Sequence, residues 1–559
     1  MPCEGLRHDM NVDPIDQAVI SQGLIASARE MGVKLIRSAY STILREASDG
    51  SAALLDRKGN VVAQAELIPM QLGPLGATFK PCAEIVPPDD LEEGDFYINN
   101  SPFEGGQHLP DVFIFSPIFY EGTLVGFSAS VAHHLDLGGG APGMNPDATD
   151  VHQEGIIIPP SRYNMQRDWN GGSFERLITA NIRVPELTIG DFNAQFAANA
   201  IGGERVKQLC ARYGVETILS VMESHLAYSE RRMRAAISEI PDGVYEGEDA
   251  VDDDGIHTEP LLIKATVTVA GDDISVDFTG SASQVLLNLN CPFASTVSAA
   301  LAAVKAVASS PDIPFNQGLA APITVTAPYG SLLNPKPPVP VRARMIPAFR
   351  AFDAVVKALA KAVPDKVIAT GFDTTHSICM SQLVDGNYSI YLEIYGGGYG
   401  AGPGSDGTDG VDGPLSNCSN IPVESLDQQY NFFRVTEYAL RPDSGGRGKF
   451  RGGNGLLRKF EILTDDVTMA HYSDRYRVAP EGAFGGEPGE HARTRVVRMN
   501  GNEEAVASKT SIKLNRGDVV ISETGGGGGY GDPSERSTDR LHDDLESGLV
   551  TPPAAQAAE

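Results

Sequence analysis

The chain has 559 residues, of which 42% are hydrophobic, and its formal net charge is −29. This length exceeds what one hydrophobic core usually serves and predicts two to four domains. The negative charge argues against binding to nucleic acid or to an anionic membrane surface. The six cysteines lie far apart without a CxxC pair, which argues against a disulfide framework or a zinc ribbon. Because neither a membrane-spanning apolar run nor a secretory signal is found, we expect a cytoplasmic protein.

The first predicted element is a long amphipathic helix from Pro14 to about Arg45, because apolar residues recur there at spacings of three and four. Asp13 is its predicted N-cap, and Pro14 occupies its first position. The pattern then changes to that of two β-hairpins, one around the turn DRKGN and one around YEGT. Helical periodicity returns after Asp191. We therefore predict that residues 1–240 form an N-terminal α+β domain that binds a metal.

The second half of the sequence mixes strand patterns with helical ones. Strands predominate after Gly243, apart from an alanine-rich helix, STVSAALAAVKAVASS, and a helix that follows the proline-rich connector PKPPVPVRAR. The predicted fold class is therefore α+β, mixed and multi-domain, rich in antiparallel strands and with glycine-rich loops in the C-terminal half. We expect a β-rich α+β domain over residues 241–532 and a flexible tail over residues 533–559.

Three glycine-rich segments occur in this half: YGGGYGAGPGSDGTDGVDGP, DSGGRGKFRGGNG and ETGGGGGYGDP. None contains the phosphate-binding pattern GxxxxGK[ST], and none opens a helix after a strand. Their glycines predict tight turns and close approach of backbones. Binding of phosphate by backbone amides is the alternative.

The segment NNSPFEGGQHLPDVFIF places His108 three residues before Asp111 in a turn rich in glycine and proline. On a strand these side chains would lie on opposite faces, whereas a turn lets them converge. Counting across the second hairpin with a three-residue turn pairs Asp111 with His133, and a two-residue turn still leaves them neighbours. Two imidazoles and one or two carboxylates suit zinc, manganese or iron. Such a metal would polarise an acyl or phosphoryl oxygen and lower the pKa of a bound water.

Spacing alone leaves the identity of further ligands open. Asp49, in REASDGS, is the best extra carboxylate, and His134 and Asp136 compete with it. The alternative interpretation makes His108 a hydrogen-bonding loop residue and one histidine of the His133-His134 pair structural. Neighbouring side chains on a strand lie on opposite faces, which supports the second part of that alternative.

Several motifs, in this order along the chain, resemble those of the hydantoinase B family. They are REASDGSAALLDRKGNVVAQ, GDFYINNSPFEGGQHLPDVFIFSP, AHHLDLGGGAPG, HQEGIIIPP, DFTGSASQV, GGGYGAGPGSDGTDG, DSGGRGKFRGGNG and GGGGGYGDP. The resemblance runs from about Pro14 to Asp532. One departure is visible, because the family usually has Asn-Asp-Pro before the glycines and this chain has Asn100 or Ser101 at the acidic position.

The resemblance implies an enzyme that works with a partner. The family includes B subunits of ATP-dependent N-methylhydantoinases, the matching half of 5-oxoprolinases, caprolactamase-type lactam hydrolases, and subunits of acetone and acetophenone carboxylases. A separate A subunit, of the acetate-kinase-like superfamily, is understood to bind ATP and Mg²⁺ and to phosphorylate the lactam or enol oxygen. This chain would then be the hydrolytic subunit of a hetero-oligomeric cyclic amidase. The alternatives are a subunit of an ATP-dependent ketone carboxylase and a non-catalytic scaffold with a structural metal.

The resemblance also implies roles for particular residues. The divalent metal would be held by four side chains: His108, Asp111, His133 and Asp49. For proton transfer in hydrolysis, the candidate general bases are Glu154, in HQEGI, and Asp136, with structural roles as the alternative. The candidates for binding phosphate through charge-assisted hydrogen bonds are arginines of two segments, with structural ion pairing as the alternative: Arg342, Arg344, Arg447 and Arg451.

Overall fold

The structure of the protein is a computed structural model that describes residues 12–65 and 67–552. Cys3 and the last seven residues of the predicted tail lie outside the described residues. The described helices are α1 (Pro14–Ser38), α2 (Thr42–Arg45), α3 (Pro69–Leu72), α4 (Leu75–Ile85), α5 (Ser173–Asn181), α6 (Pro185–Tyr213), α7 (Val215–Ile237), α8 (Phe293–Ala308), α9 (Gln317–Ala320), α10 (Met345–Leu359), α11 (Val423–Gln429) and α12 (Thr538–Glu546). None of these described helices is both long and apolar enough to span a membrane.

The described strands are β1 (Gly50–Leu55), β2 (Val61–Gln64), β3 (Asp95–Asn99), β4 (Asp111–Tyr120), β5 (Thr123–His133), β6 (Ser161–Asn164), β7 (Gly243–Val251), β8 (Leu261–Ala270), β9 (Asp273–Asp277), β10 (Ile323–Thr326), β11 (His376–Val384), β12 (Asn387–Tyr395), β13 (Phe433–Leu440), β14 (Leu456–Ile462), β15 (Val467–Tyr472), β16 (Arg493–Val497), β17 (Glu503–Val506), β18 (Lys509–Leu514) and β19 (Val519–Glu523). Over the described ranges they form four sheets, with strand orders β2-β1-β5-β4-β3-β6, β10-β9-β8-β7, β12-β11-β15-β18 and β13-β14-β19-β16-β17. Neighbouring strands are antiparallel except β9 and β10. Helices combined with largely antiparallel sheets confirm the predicted α+β class.

The first predicted helix is in fact two helices. As predicted, Asp13 caps α1, since its side chain accepts a backbone N–H of the first turn at 2.8 Å. The helix stops because Ala39 is extended, and Ser41 then caps α2. Asp191 on α6 holds this break, because its Oδ1 accepts the backbone N–H groups of Tyr40 and Ser41 at 2.7 and 3.1 Å. A contact between residues 150 positions apart therefore ends the helix where the sequence periodicity predicts that it continues.

The largest buried apolar cluster includes residues from both sides of the predicted boundary at residue 240. Ile43 and Met70 from the first half belong to it together with Val251, Ile346 and Tyr391 from the second. A smaller cluster lies between α1, α6 and the six-stranded sheet. The boundary at residue 240 stays a prediction, and a shared core extends across it.

The glycine-rich segments pack backbone against backbone. Gly398 donates its N–H to the Gly525 carbonyl at 3.0 Å, Gly453 donates to Tyr399 at 2.8 Å, and Gly527 donates to Gly453 at 2.9 Å. A Cβ atom on Gly398 would lie only 1.8 Å from the Gly453 oxygen, so no larger residue fits. Because these N–H groups already bond to carbonyls, the structure supports close backbone approach rather than a phosphate cradle here.

The predicted flexible tail is a packed helix over part of its length. Arg536, just before α12, pairs with Asp406 at 2.8 Å and with Asp544 of α12 at 2.6 Å. Asp544 is also 3.4 Å from Arg451 of a glycine-rich segment. These ion pairs fasten α12 to the glycine-rich segments, and sequence composition alone did not predict them.

Candidate metal centre

Three adjacent strands of the six-stranded sheet bring the predicted ligands to one end of that sheet. β4 and β5 pair Asp111 with His133. The pairing of β1 with β5 places Asp49 beside His133, whose backbone N–H donates to the Asp49 carbonyl at 3.0 Å. His108 joins them from the turn before β4, where the Asp111 N–H donates to the His108 carbonyl at 3.1 Å. The pairing register of these strands therefore brings together residues that lie far apart in the sequence.

The predicted pairing of Asp111 with His133 is confirmed, although the turn differs from the expected one. The turn of this hairpin contains two residues, Glu121 and Gly122, both with positive φ, at 48° and 81°. That turn alone would shift the pairing by one residue. A bulge next to Ile118 restores the register expected for the three-residue turn. The two deviations cancel before the strands reach the candidate ligands.

The donor atoms of His108, Asp111 and His133 are close enough to share one metal ion. One donor atom from each lies within 4.8 Å of the other two. Asp111 Oδ1 is 3.1 Å from His108 Nε2 and 3.4 Å from His133 Nδ1. Two ligands of a tetrahedral ion with bonds of about 2.0–2.1 Å are about 3.3 Å apart. Asp49 is at the edge of this group, with its Oδ2 3.6 Å from His133 Nδ1.

These donors are also short of other partners. His108 Nε2 and Asp111 Oδ1, two of the atoms that would hold the ion, are buried and have no hydrogen-bond partner among the described residues. His108 Nε2 and Asp111 Oδ1 are near each other but not aligned as a hydrogen bond. Buried polar atoms are normally satisfied, because leaving them unpaired is unfavourable. A bound cation would satisfy them, so the residues present fit a metal.

Neighbouring side chains hold the donors in place. Arg344 donates a short hydrogen bond to Asp111 Oδ2, which leaves Oδ1 facing the imidazoles. Gln71 donates to Asp49 Oδ1 at 2.8 Å. His108 Nδ1 lies 3.1 Å from the Arg342 carbonyl. Nδ1 also lies 2.8 Å from Nη1 of Arg344, which can only donate, so Nδ1 accepts a hydrogen bond from Arg344 in this geometry. Binding of a metal through Nε2 would instead require the ring proton on Nδ1, directed at the Arg342 carbonyl. Gln71 lies in no motif, so the sequence gives no sign of this role.

Burial and charge set the ionisation of the site. Burial lowers the pKa of His108 to about 3, and the Arg344 cation acts in the same direction. Burial acts to raise the pKa of Asp111, but its contacts with His108 and Arg344 outweigh burial and hold that pKa well below its usual range. Burial raises the pKa of Asp49 to about 6, against the influence of His133. Near neutral pH, His108 is thus an uncharged imidazole and both acids are carboxylates, the forms that bind metals.

A cavity of about 50 Å³ lies beside these groups. Its wall includes the candidate ligands Asp49, His108 and His133 and the first residues of α10. The rest comes largely from the second half of the chain: Thr375, Ser377, Leu392, Ile394, Ser416, Cys418 and Tyr472. Nothing in the local sequence pattern of these residues connects them with the candidate ligands, so the sequence does not predict their place in the wall.

The structure does not bring either predicted general base to this cavity wall. The Glu154 carboxylate accepts the backbone N–H groups of Val341 at 3.0 Å and of Arg342 at 2.8 Å. Asp136 forms an ion pair with Arg183 at 2.9 Å. Both carboxylates are thus occupied elsewhere, and these contacts favour the alternative in which each residue anchors the structure.

Three other candidates also lie away from the cavity. His134, on the opposite face from His133, bonds to Gln195 at 3.0 Å, as the alternation of strand side chains requires. Arg447 is 77% exposed. Arg451 is buried and pairs with Asp409 at 2.9 Å. Of the predicted phosphate-binding arginines, only Arg342 and Arg344 line the cavity.

Asn100, one of the two residues that could stand at the acidic position of the usual family motif, is buried and fully hydrogen-bonded. Its amide nitrogen donates to the carbonyls of Leu109 at 2.8 Å and Ile156 at 3.0 Å. Its amide oxygen accepts the Ile158 N–H at 2.7 Å. An ionised carboxylate cannot donate, so an amide is the side chain suited to this buried position.

Comparisons with known proteins agree with these observations. The family described as Hydantoinase B/oxoprolinase matches residues 13–533. The chain is 35% identical to the putative B subunit of a D-/L-hydantoinase from Pseudomonas sp. (strain NS671), over 97% of this chain and 93% of that protein. The crystal structure of the ATP-dependent caprolactamase from Pseudomonas jessenii is similar, with a TM-score of 0.89 and 30% identity over 97% of this chain and 95% of that one. A nucleotide-free acetone carboxylase structure, 19% identical with a TM-score of 0.87 over 96% of this chain and 78% of that one, shares the fold. This chain therefore belongs to the hydantoinase B/oxoprolinase family.

Proposed function

We propose that the chain is the hydrolytic subunit of an ATP-dependent cyclic amide hydrolase that opens a hydantoin, 5-oxoproline or lactam ring. The observation that carries this proposal is the buried donor cluster of His108, Asp111 and His133 beside a cavity. It occurs in a chain whose relatives are named as part of a hydantoinase and as an ATP-dependent caprolactamase. For the carboxylase alternative, the 19% identical acetone carboxylase structure shows a common fold.

The proposed reaction requires a second polypeptide, and the names of two relatives, each given as one subunit of its enzyme, agree with this requirement. An A-type partner would bind ATP and Mg²⁺ and transfer a phosphoryl group to the amide oxygen, which makes the amide carbon electrophilic. Water then adds to that carbon. The ring C–N bond breaks with its electron pair going to nitrogen, which takes up a proton. A second water releases phosphate from the resulting acyl phosphate. A cytoplasmic location, where ATP is available, is part of this proposal.

Four side chains would hold a divalent zinc, manganese or iron ion: His108, Asp111, His133 and Asp49. When bound, the ion would supply Lewis acidity for the substrate oxygen and lower the pKa of water. The remaining work falls to neighbouring residues. Arg344 orients Asp111, and Gln71 orients Asp49. The cavity of about 50 Å³ restricts bulk water and leaves room for roughly three or four water molecules.

The test combines the full chain with its ATP-binding partner. Lactams, hydantoins and 5-oxoproline are screened for substrate-dependent ATP hydrolysis and ring-opened product, with and without bicarbonate. We expect bicarbonate-independent ring opening. Product that requires bicarbonate would replace the hydrolase with a carboxylase. Bound metal without any substrate-dependent turnover would support the scaffold alternative.

Variants of the site connect the activity to the cluster. His108→Ala and Asp111→Ala should each lose bound metal and lower turnover by more than about a hundredfold, since even residues around the ligands contribute about ten- to hundredfold. His257→Ala and Asp254→Ala are matched controls. They remove a His–Asp pair with the same three-residue spacing, 2.7 Å apart, in which His257 is exposed and Asp254 is half-buried. Full turnover and full metal content in the His108 and Asp111 variants would show that the site is assigned wrongly.

A further inference from the structure

One arginine in the cavity wall is a buried cation that forms no ion pair among the described residues, although its charge also acts on the Glu154 carboxyl and lowers the pKa of that group. Arg342 is 8% exposed. Its Nη2 has no hydrogen-bond partner within the described ranges, and its guanidinium forms no ion pair there. Burial of an unpaired charge is strongly unfavourable, and the arginine fork is built to bind planar or tetrahedral oxyanions. We therefore expect an anion, bound while the enzyme works, to pair with the Arg342 guanidinium.

The backbone holds Arg342 firmly next to the candidate metal ligands. Its N–H donates to Glu154 at 2.8 Å, and its carbonyl lies 3.1 Å from His108 Nδ1. The next residue, Ala343, donates its N–H to the Asn288 carbonyl at 2.9 Å. These contacts explain why a residue of a proline-rich connector has a defined position. Arg342 is thus pre-organised in the same wall as His108.

Arg342 lines the cavity together with Tyr472 and the candidate ligand His108. Burial raises the pKa of Tyr472 well above its usual range, and the positive charge of Arg342 opposes that rise. Arg342 is therefore part of the same cavity wall as the candidate metal ligands.

The charge balance around the cavity favours an anion. Asp49 and Asp111 carry two negative charges, Arg342 and Arg344 carry two positive ones, and Glu154, which interacts electrostatically with both arginines, adds a further negative charge when it is ionised. A divalent cation would therefore leave an excess of one to two positive charges, depending on the ionisation of Glu154. The N-terminus of α10, which begins at Met345 in the same wall, adds partial positive charge. A phosphoryl group carries close to two negative charges at neutral pH and would match this excess.

We infer that Arg342 forms a subsite for the phosphoryl group of the activated substrate, and this inference rests on the proposed function. Other arginines are less suited. Arg344 is committed to Asp111, and Arg451 is committed to Asp409. Arg447 lies exposed on the surface. In the subsite, Arg342 binds two phosphoryl oxygens and orients the adjoining carbon toward the candidate metal ligands.

The experiment measures binding of inorganic phosphate to the full chain by isothermal titration calorimetry, in the presence of saturating Mn²⁺. We expect wild-type protein to bind phosphate and Arg342→Met to bind it at least about tenfold more weakly. Arg342→Lys should retain part of the affinity, because lysine keeps the charge and loses the fork. Arg447→Met, which removes an exposed arginine, is the matched control and should bind as wild type does.

Thermal unfolding without phosphate separates this role from a structural one. Arg342→Met removes an unpaired buried cation, so its unfolding midpoint should equal or exceed that of wild type. A lower midpoint would give Arg342 a structural role and overturn the inference. Unchanged phosphate affinity in Arg342→Met, or no phosphate binding by wild type, would also overturn it.

Failure of the proposed function would look different. If phosphate binding depends on Arg342 but the complex opens no cyclic amide, the proposed hydrolase function is wrong and the proposed anion subsite stands. If the complex opens the ring but Arg342→Met does not change the phosphate affinity, the hydrolase function stands and the subsite is wrong.

Discussion

Replacing Glu154 by glutamine distinguishes an anchoring residue from a general base. The side chain is 5% exposed, and its oxygens accept the N–H groups of Val341 and Arg342. Glutamine keeps one acceptor oxygen for these groups and cannot ionise. If Glu154 only anchors the segment, the variant should keep turnover within about threefold of wild type, whereas loss of a general base costs about 10²- to 10⁴-fold.

The stability of the same variant should depend on pH in a defined direction. Burial raises the pKa of Glu154 from 4.5 to about 7, although the N–H groups of Val341 and Arg342 oppose this rise. Because the folded protein holds this proton more tightly than the unfolded chain, the contribution to stability is full below pH 4.5 and is lost as the pH rises through about 7. At about 1.4 kcal/mol for each pKa unit, the loss is about 3 kcal/mol.

Urea unfolding of wild type and Glu154→Gln, repeated at pH steps from about 4.5 to about 8, measures this loss. The wild-type free energy of unfolding should fall by about 3 kcal/mol relative to the variant over this range. A constant difference between the two proteins would refute the argument from burial. Turnover lowered more than about a hundredfold, with stability as expected, would restore Glu154 as a base.

Two further predictions concern the metal cluster and the glycine-rich segments. His133→Ala should lose its metal on dialysis, with affinity lowered more than about a hundredfold, whereas His134→Gln should keep it; metal analysis decides. Gly398→Ala should unfold the protein or cost more than about 4 kcal/mol, because its Cβ would meet the Gly453 oxygen at 1.8 Å. Gly203→Ala, on an uncrowded part of α6, should instead stabilise by about 0.5–1 kcal/mol. Equal unfolding midpoints for the two glycine variants would contradict the packing argument.

The sequence by itself determined the parts of this protein that depend on neighbouring residues. Alternation and turn residues predicted the hairpin that pairs Asp111 with His133. The Asp13 cap followed from its place before Pro14. Motifs over nearly the whole chain predicted the family, which the comparisons confirm. Each of these properties depends on residues that are close in the sequence or on motifs that the chain shares with its relatives.

Only the tertiary structure decided which polar groups face the cavity. The sequence left Glu154 and Asp136 as candidate bases with structural roles as the alternative, and the fold pairs them with a backbone segment and with Arg183. Arg342 and Arg344 are two residues apart, yet one pairs with Asp111 and the other forms no ion pair among the described residues. Whether a side chain is buried or paired depends on residues that are hundreds of positions away in the sequence and pack against it in the fold. Local periodicity does not predict these contacts.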